Sequence, residues 1–191
     1  SVISINSDIA QVLDAKGINS FISIGWSGGG PHCIANTLDA RNRGAISLAG
    51  VGAYGVSDLD FLEGMGPENH DEFGAALKGE TAIIDWMNKN AVAMKEVTGP
   101  DLITAFGGLI GEADKRVLTS EVAERDAAVF RRSLSVSFDG WIDDDLAFIQ
   151  PFGFSIEEID KPVIIWQGDD DFMVPHSHSE WLAKKIPGSK L

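Results

Sequence analysis

The sequence predicts an α/β protein: a parallel sheet interrupted by a helical insertion. Three observations carry this. Residues 1–50 alternate helix and strand signals, the pattern of parallel strands joined by right-handed crossovers. Residues 56–150 then show one helix signal after another and no convincing strand. Strand signals return at Pro162 to Gln167. The expected division is 1–55 for the α/β core, 56–150 for the helical insertion and 151–191 for core again.

The elements follow in order. Ser7-Asp8 is a helix start, Ile9, Val12 and Leu13 give the helical apolar spacing, and Lys16-Gly17 is a stop. Phe21 to Trp26 is short and β-rich, the profile of a strand buried on both faces. Ser27-Gly28-Gly29-Gly30 breaks it, and a helix is expected from Pro31 to about Ala40. Gly44 to Gly50 is a second buried strand. In the insertion, Asn69 starts a helix with Asp71 and Glu72 in its first turn. Ile83, Met87 and Met94 share a face of the next helix. Thr98-Gly99-Pro100-Asp101 is a helix start with an early proline and an acid at the capping-box position. Ser120 opens a further helix carrying Val122, Val129 and Phe130, and Trp141 to Ile149 is a last one. Pro162 to Gln167 is a buried strand, His176 to Lys185 a helix closed by Pro187-Gly188, and Ser189-Lys190-Leu191 the opening of another strand.

Composition narrows the function. With 15 basic and 29 acidic residues the net charge is −14, which disfavours binding to a nucleic-acid backbone. No apolar run approaches the ~20 residues that span a bilayer. The single cysteine, Cys33, excludes an internal disulfide framework and a cysteine-rich zinc site, and is expected to be buried in a helix. No basic-then-apolar leader opens the chain, so a cytoplasmic location is expected. The start at Ser1, without an initiator methionine, also fits a processed or excerpted beginning.

Gly25-Trp26-Ser27-Gly28-Gly29 is a G-x-S-x-G placed where a strand ends and a helix begins. A serine on so sharp a turn has strained backbone angles, and Cβ atoms at Gly25 and Gly29 would crowd neighbouring chain. The turn lifts the hydroxyl of Ser27 above the sheet and aims the Gly28 N–H at an oxyanion formed there. A glycine-rich turn that binds phosphate is the competing reading, but neither the Gly-Lys-Ser/Thr ending of a P-loop nor G-x-G-x-x-G is present. The second feature is Gly168-Asp169-Asp170-Asp171-Phe172-Met173-Val174-Pro175 at the end of the last full strand. A carboxylate there projects from the same sheet edge as Ser27, because parallel strands share a carboxyl end. Three adjacent carboxylates repel one another, and spacing alone does not choose the one that turns inward.

These two segments, with the insertion between them, resemble the α/β-hydrolase superfamily. The match consists of Gly25 to His32, then Pro162 to Gly168 leading into Asp171-x-x-Val174-Pro175, with an insertion placed as that family's cap is placed. The resemblance selects Asp171 from its neighbours. It implies Ser27 as nucleophile, Asp171 as triad acid and the Gly28 N–H as an oxyanion donor, with no cofactor and no metal. Serine at the elbow argues against dehalogenase or epoxide-hydrolase chemistry, which uses aspartate there in this fold. The implied activity is hydrolysis of a small ester, amide or related acyl substrate. The alternatives are a hydrolase-like protein that binds a ligand without turnover, and acyl transfer or a cofactor-free C–C cleavage on the same triad. Trp26, Trp86, Trp141 and Phe152 are the candidate substrate-binding residues, and Met87, Phe106, Phe148 and Phe154 are further candidates for an apolar pocket in or beside the cap.

Both ends depart from the family pattern. The family's histidine follows the strand after the acid, and here the sequence stops as that strand opens. His32 is expected to be packed on the elbow helix and His70 to be solvated. His176 and His178 sit too close after Asp171 to bridge it to Ser27, and as an H-x-H pair they fit a helix start better than a metal site. The insertion leaves about ninety residues for the core, enough for three strands and the start of a fourth. The expectation is therefore a piece of a longer protein, inactive alone, whose triad histidine lies outside these residues. A second chain or an oligomer is the candidate to cover the incomplete sheet.

Overall fold

In the computed structural model, which describes residues Ser1 to Leu191, helix α1 spans Asn6–Ala15 and ends where Gly17 takes a φ of +64°. Strand β1 is Phe21–Trp26, helix α2 is Gly29–Ala35, and strand β2 is Asn42–Leu48. Helix α2 is shorter than expected, because Asn36–Leu38 tightens into a 3-10 turn.

The regular elements of the insertion are all helical. Its helices are α3, Pro67–Ala76; α4, Glu80–Asn90; α5, Gly99–Phe106; α6, Glu112–Val117; α7, Ser120–Ser133; and α8, Asp139–Phe148. Helix α3 begins at Pro67 rather than Asn69, with Pro67 at the first helical position, where its missing N–H is no loss. Met94 falls outside α4, in a 3-10 turn over Val92–Lys95. The capping box at Thr98 forms as expected: the Thr98 side chain accepts from the Asp101 N–H, and the Asp101 carboxylate accepts from the Thr98 N–H at 3.0 Å. Helices α5 and α7 pack through Val97, Leu102 and Ala127, with Met94, Phe106 and Phe130 against them. Short side chains on α7, Ala123 and Ala127, form its buried stripe, whereas Val129 is exposed.

Strand β3, Val163–Trp166, and helix α9, His176–Lys185, complete the order. The strands form one parallel sheet in the order β1-β2-β3. Beyond β3 the chain end begins a further parallel pairing. The Ile165 N–H donates to the Lys190 carbonyl at 2.7 Å, and the Lys190 N–H donates to the Val163 carbonyl at 3.0 Å. The register places Ser23, Ala45 and Val163, then Gly25, Ser47 and Ile165, on one face. The small residues of β1 and β2 let α2 approach closely, and the Ser23 hydroxyl donates to the Cys33 carbonyl at 2.7 Å. The other face carries Ile24, Trp26, Ile164 and Trp166. These side chains are exposed, Trp26 at 68% and Trp166 at 71%. The expectation of strands buried on both faces is corrected here: β1 and β3 alternate between buried and exposed residues, because only one face is covered.

The chain divides into two compact units. The sheet unit is Ser1–Glu63, Ala147–Asp169 and Val174–Leu191, and the insertion unit is Gly64–Leu146 with Asp170–Met173. The last two residues of α8, Ala147 and Phe148, thus belong to the sheet unit. Asp170–Met173, which the sequence reading assigns to the core, belongs with the insertion. The reason is backbone pairing: the Gly66 N–H donates to the Phe172 carbonyl at 2.8 Å, and the Phe172 N–H donates to the Leu109 carbonyl at 3.1 Å. No helix is long and apolar enough to cross a membrane.

Candidate active site

Ser27 follows the last residue of β1 and has a φ of +52°, one of two non-glycine residues in the left-handed region. That conformation is disfavoured by about 1–3 kcal/mol for a residue with a Cβ, so the surroundings must hold it. They do so through the backbone. The Ser27 N–H donates to the Leu48 carbonyl at 2.8 Å, extending the sheet ladder by one bond, and the Gly30 N–H donates to the Ser27 carbonyl at 2.8 Å. The side chain of Ser27 is exposed.

The glycines differ in purpose. A Cβ on Gly25 would overlap the Gly29 carbonyl oxygen, so the strand-to-helix turn can close only with glycine there. A Cβ on Gly30 would lie 2.5 Å from the Gly50 Cα, and a Cβ on Gly28 would lie 2.8 Å from the Phe148 ring. Gly29 has open space around it. The expectation that Gly29 avoids a clash is thus corrected: its carbonyl is the group that Gly25 must clear. Phe148 sits against Gly28 and 5.8 Å, centroid to centroid, from the His32 ring. The Nδ1 of His32 lies 3.1 Å from the Val2 carbonyl oxygen, and since a carbonyl only accepts, that nitrogen carries the hydrogen. Cys33 is buried, donates to the Gly30 carbonyl, and burial pushes its thiol up to about 12. Such a thiol stays protonated and is no nucleophile.

In the acid segment, Asp169 and Asp170 are exposed and Asp171 is partly buried. The Met173 N–H donates to Asp171 Oδ1 at 2.9 Å, which fixes the carboxylate against its own turn. Asp169 Oδ1 lies 3.6 Å from the Nδ1 of His176. His178, two residues on, is fully buried. Its Nδ1 accepts from the Gly52 N–H at 2.9 Å, so its Nε2 must carry the hydrogen and donate to the Phe61 carbonyl at 3.0 Å. Burial lowers this histidine to about 4. Both nitrogens are committed to backbone groups, so His178 is a structural bolt, and the two members of the H-x-H pair do not converge on a metal.

The chain is similar in structure to several solved proteins. A hydrolase from Pseudomonas aeruginosa matches over 100% of this chain and 62% of its own, with 20% identity and a TM-score of 0.61. A bromoperoxidase from Bacillus anthracis matches over 97% and 62%, with 21% identity and a TM-score of 0.64. An esterase from a Rhodococcus species matches over 97% and 60%, with 20% identity and a TM-score of 0.59. The chain has the α/β-hydrolase fold. It spans about three-fifths of the length of these structures. Neither a protein-family model nor a curated protein sequence matches it.

Within this α/β-hydrolase fold the candidate substrate-binding residues divide between the two units, Trp26 and Phe152 in one, Trp86 and Trp141 in the other. Trp26 lies on the exposed sheet face. Phe152 is buried in the sheet unit, stacked on Phe154, and its carbonyl accepts from the Ile3 N–H. Trp86 is half-buried on α4. Trp141 is half-buried on α8, and its indole N–H donates to Glu72 Oε1 at 2.5 Å. Glu72 in turn is hydrogen-bonded to Asp145, whose side chain is 3% exposed and whose Oδ2 is buried without a partner. Burial holds Asp145 well above the usual carboxylate range, with the Glu72 charge adding to it. This carboxyl pair was not legible in the sequence, where Glu72 and Asp145 are single acids on separate helices. A depression of about 280 Å³ in the sheet unit is lined by Asp58, Asp60, Glu63, Glu180 and Trp181 among others, and includes neither Ser27 nor Asp171.

Proposed function

We propose that the chain carries the nucleophile and the acid of a serine hydrolase acting on a small ester, amide or related acyl compound. The observation that supports this most is the left-handed φ of Ser27 at the exposed end of β1, on an α/β-hydrolase fold. Ala49, after β2, has a similar angle, so what sets Ser27 apart is the exposed hydroxyl that its turn carries. The hydrolase and esterase among the similar structures support the same reaction class.

Ser27 Oγ attacks the substrate carbonyl carbon and passes its proton to a histidine. Asp171 orients that histidine and stabilises its charged form. The Gly28 N–H donates to the oxyanion of the tetrahedral intermediate. The histidine returns the proton to the departing alcohol or amine, and water then releases the acyl group by the same steps reversed. In this reading the base comes from outside the 191 residues: both nitrogens of His178 are committed to backbone groups, and the Nδ1 of His32 donates to the Val2 carbonyl and not to Asp171. The 191-residue chain alone is then expected to lack turnover, and robust ester hydrolysis by it would contradict that part.

The test is covalent labelling by a fluorophosphonate probe in a polypeptide that carries the base. Labelling is expected at Ser27 and is expected to vanish in Ser27→Ala, with kcat falling by roughly 10⁴- to 10⁶-fold. Labelling that survives Ser27→Ala overturns the proposal.

A further inference from the structure

Residues 172 and 173 have four backbone polar groups, and all four are occupied. The Phe172 N–H donates to the Leu109 carbonyl, and the Phe172 carbonyl accepts from the Gly66 N–H. The Met173 carbonyl accepts from the Asn69 side-chain amide at 2.8 Å, across 104 residues of sequence. The fourth group, the Met173 N–H, donates to Asp171 Oδ1. Three partners lie on the insertion, and together they set the peptide planes that aim the fourth group at the carboxylate. The Phe172 carbonyl and the Met173 N–H belong to one peptide unit, so the bond from Gly66 also polarises the N–H that Asp171 receives. A hydrogen bond donated to the charged carboxylate favours its ionised form and fixes its direction.

We propose that Asn69 is a positioning residue for Asp171, acting through the Met173 peptide; this rests on Asp171 being the triad acid. Asn69 is the one side chain among the three insertion partners. It stands in the first turn of α3, half-buried, with its own N–H donating to the Gly66 carbonyl at 3.1 Å. It therefore ties the start of α3 to the acid turn without touching the reacting atoms. Without its amide, the Met173 carbonyl loses a donor, the peptide gains freedom to rotate, and the carboxylate no longer presents one fixed lone pair to a histidine.

The test is a double-mutant cycle in a polypeptide that carries the base, together with amide exchange at Met173 in the 191-residue chain. Asn69→Leu keeps the size and removes the donor; Asn69→Ser, too short to reach the Met173 carbonyl, serves if the leucine variant does not fold. Either is expected to lower kcat about 10- to 100-fold with KM little changed, the effect of a small misplacement at the reacting centre. Met173 exchange is expected to rise. In the Asp171→Asn background the same substitution is expected to have no further effect, because the group it positions is already disabled. Unchanged kcat in both Asn69 variants, with activity lost in Asp171→Asn, overturns the proposal alone. A drop that adds fully to that of Asp171→Asn marks a general structural role and also overturns it. Full activity in Asp171→Asn removes the triad reading, and the proposal with it.

Discussion

Two strand-to-helix turns leave the carboxyl end of the same parallel sheet, and they are built in opposite ways. The turn after β1 is local. Gly25, Ser27, Gly29 and Gly30 clear or bond one another within six residues, and the sheet adds one bond from Leu48. The turn after β3 is distant in its determinants. Its residues Asp170–Met173 take their backbone partners from Gly66, Asn69 and Leu109, about sixty to a hundred positions earlier, and cluster with the insertion. A serine held by sterics is fixed wherever the strand and helix form. An acid held by hydrogen bonds from an insertion is fixed only when the insertion is folded.

The sharpest way to break this comparison is Gly25→Ala. Its Cβ would meet a backbone carbonyl, which cannot swing aside as a side chain can. We expect a loss of about 3 kcal/mol or more in urea denaturation, above the usual range for overpacking, against a change within about 1 kcal/mol for Gly29→Ala, which has open space. Equal effects at the two glycines would show that the turn is not held by local sterics.

Next comes His178, in the helix that follows the acid turn. Its neutral form is held by burial and by the Gly52 N–H, with a folded value of about 4 against an ordinary 6.5. The unfolded chain therefore binds the proton first as pH falls. The stability His178 contributes is complete above pH 6.5 and is lost between there and pH 4, by about 3 kcal/mol in all. His178→Gln should flatten that limb of the urea midpoint against pH. An unchanged limb would assign the acid sensitivity to other groups.

The same contrast explains what could be read from the sequence. The elbow was legible because its determinants are adjacent: a G-x-S-x-G after a β-rich run states its own geometry. The capping box at Thr98 was legible for the same reason. The expected start of α3 at Asn69 lies two residues late, because Pro67 takes the first helical position and Asn69 spends its side-chain amide on Met173. Helix α6, Glu112–Val117, was missed because it is short and none of its residues is buried, so it leaves no apolar stripe to detect. The strands read as buried on both faces because Ile22, Ile24, Ile164 and Trp166 are apolar. Apolarity reports what a face prefers, not what covers it. The clamp on the acid turn and the Glu72–Asp145 pair were illegible because each joins residues far apart by polar contacts that have no periodicity.

A milder probe of the distant turn is Gly111→Ala. A Cβ there would lie 2.5 Å from the Asp170 Cβ and 3.3 Å from the Asp170 carbonyl oxygen. The neighbour is an exposed residue on a turn, so it can shift, and the loss should be about 1–2 kcal/mol. Amide exchange at Phe172 should rise while exchange at Gly30, in the elbow, stays unchanged. A matched rise at Gly30 would mean that the two turns are not independent.

The smallest expected effect tests the insertion unit alone. Asp145 is held neutral by burial first and by the Glu72 charge second, so its folded value lies above the ordinary 3.8. For an acid raised in this way the sign is the reverse of a salt-bridged one. Its contribution is complete below the ordinary value and declines as pH rises toward the folded one, because the unfolded chain ionises freely and the folded chain does not. Asp145→Asn removes that penalty and leaves an amide that can still donate to Glu72. We expect it to stabilise the chain by about 1 kcal/mol at pH 8, with less gain at pH 5. The insertion would then be firmer at alkaline pH, and through the bonds from Gly66, Asn69 and Leu109 the exchange of Met173 should slow with it. A stabilisation that leaves Met173 exchange unchanged would separate the carboxyl pair from the acid turn. It would confine the long-range construction to the residues that touch Phe172 and Met173 directly.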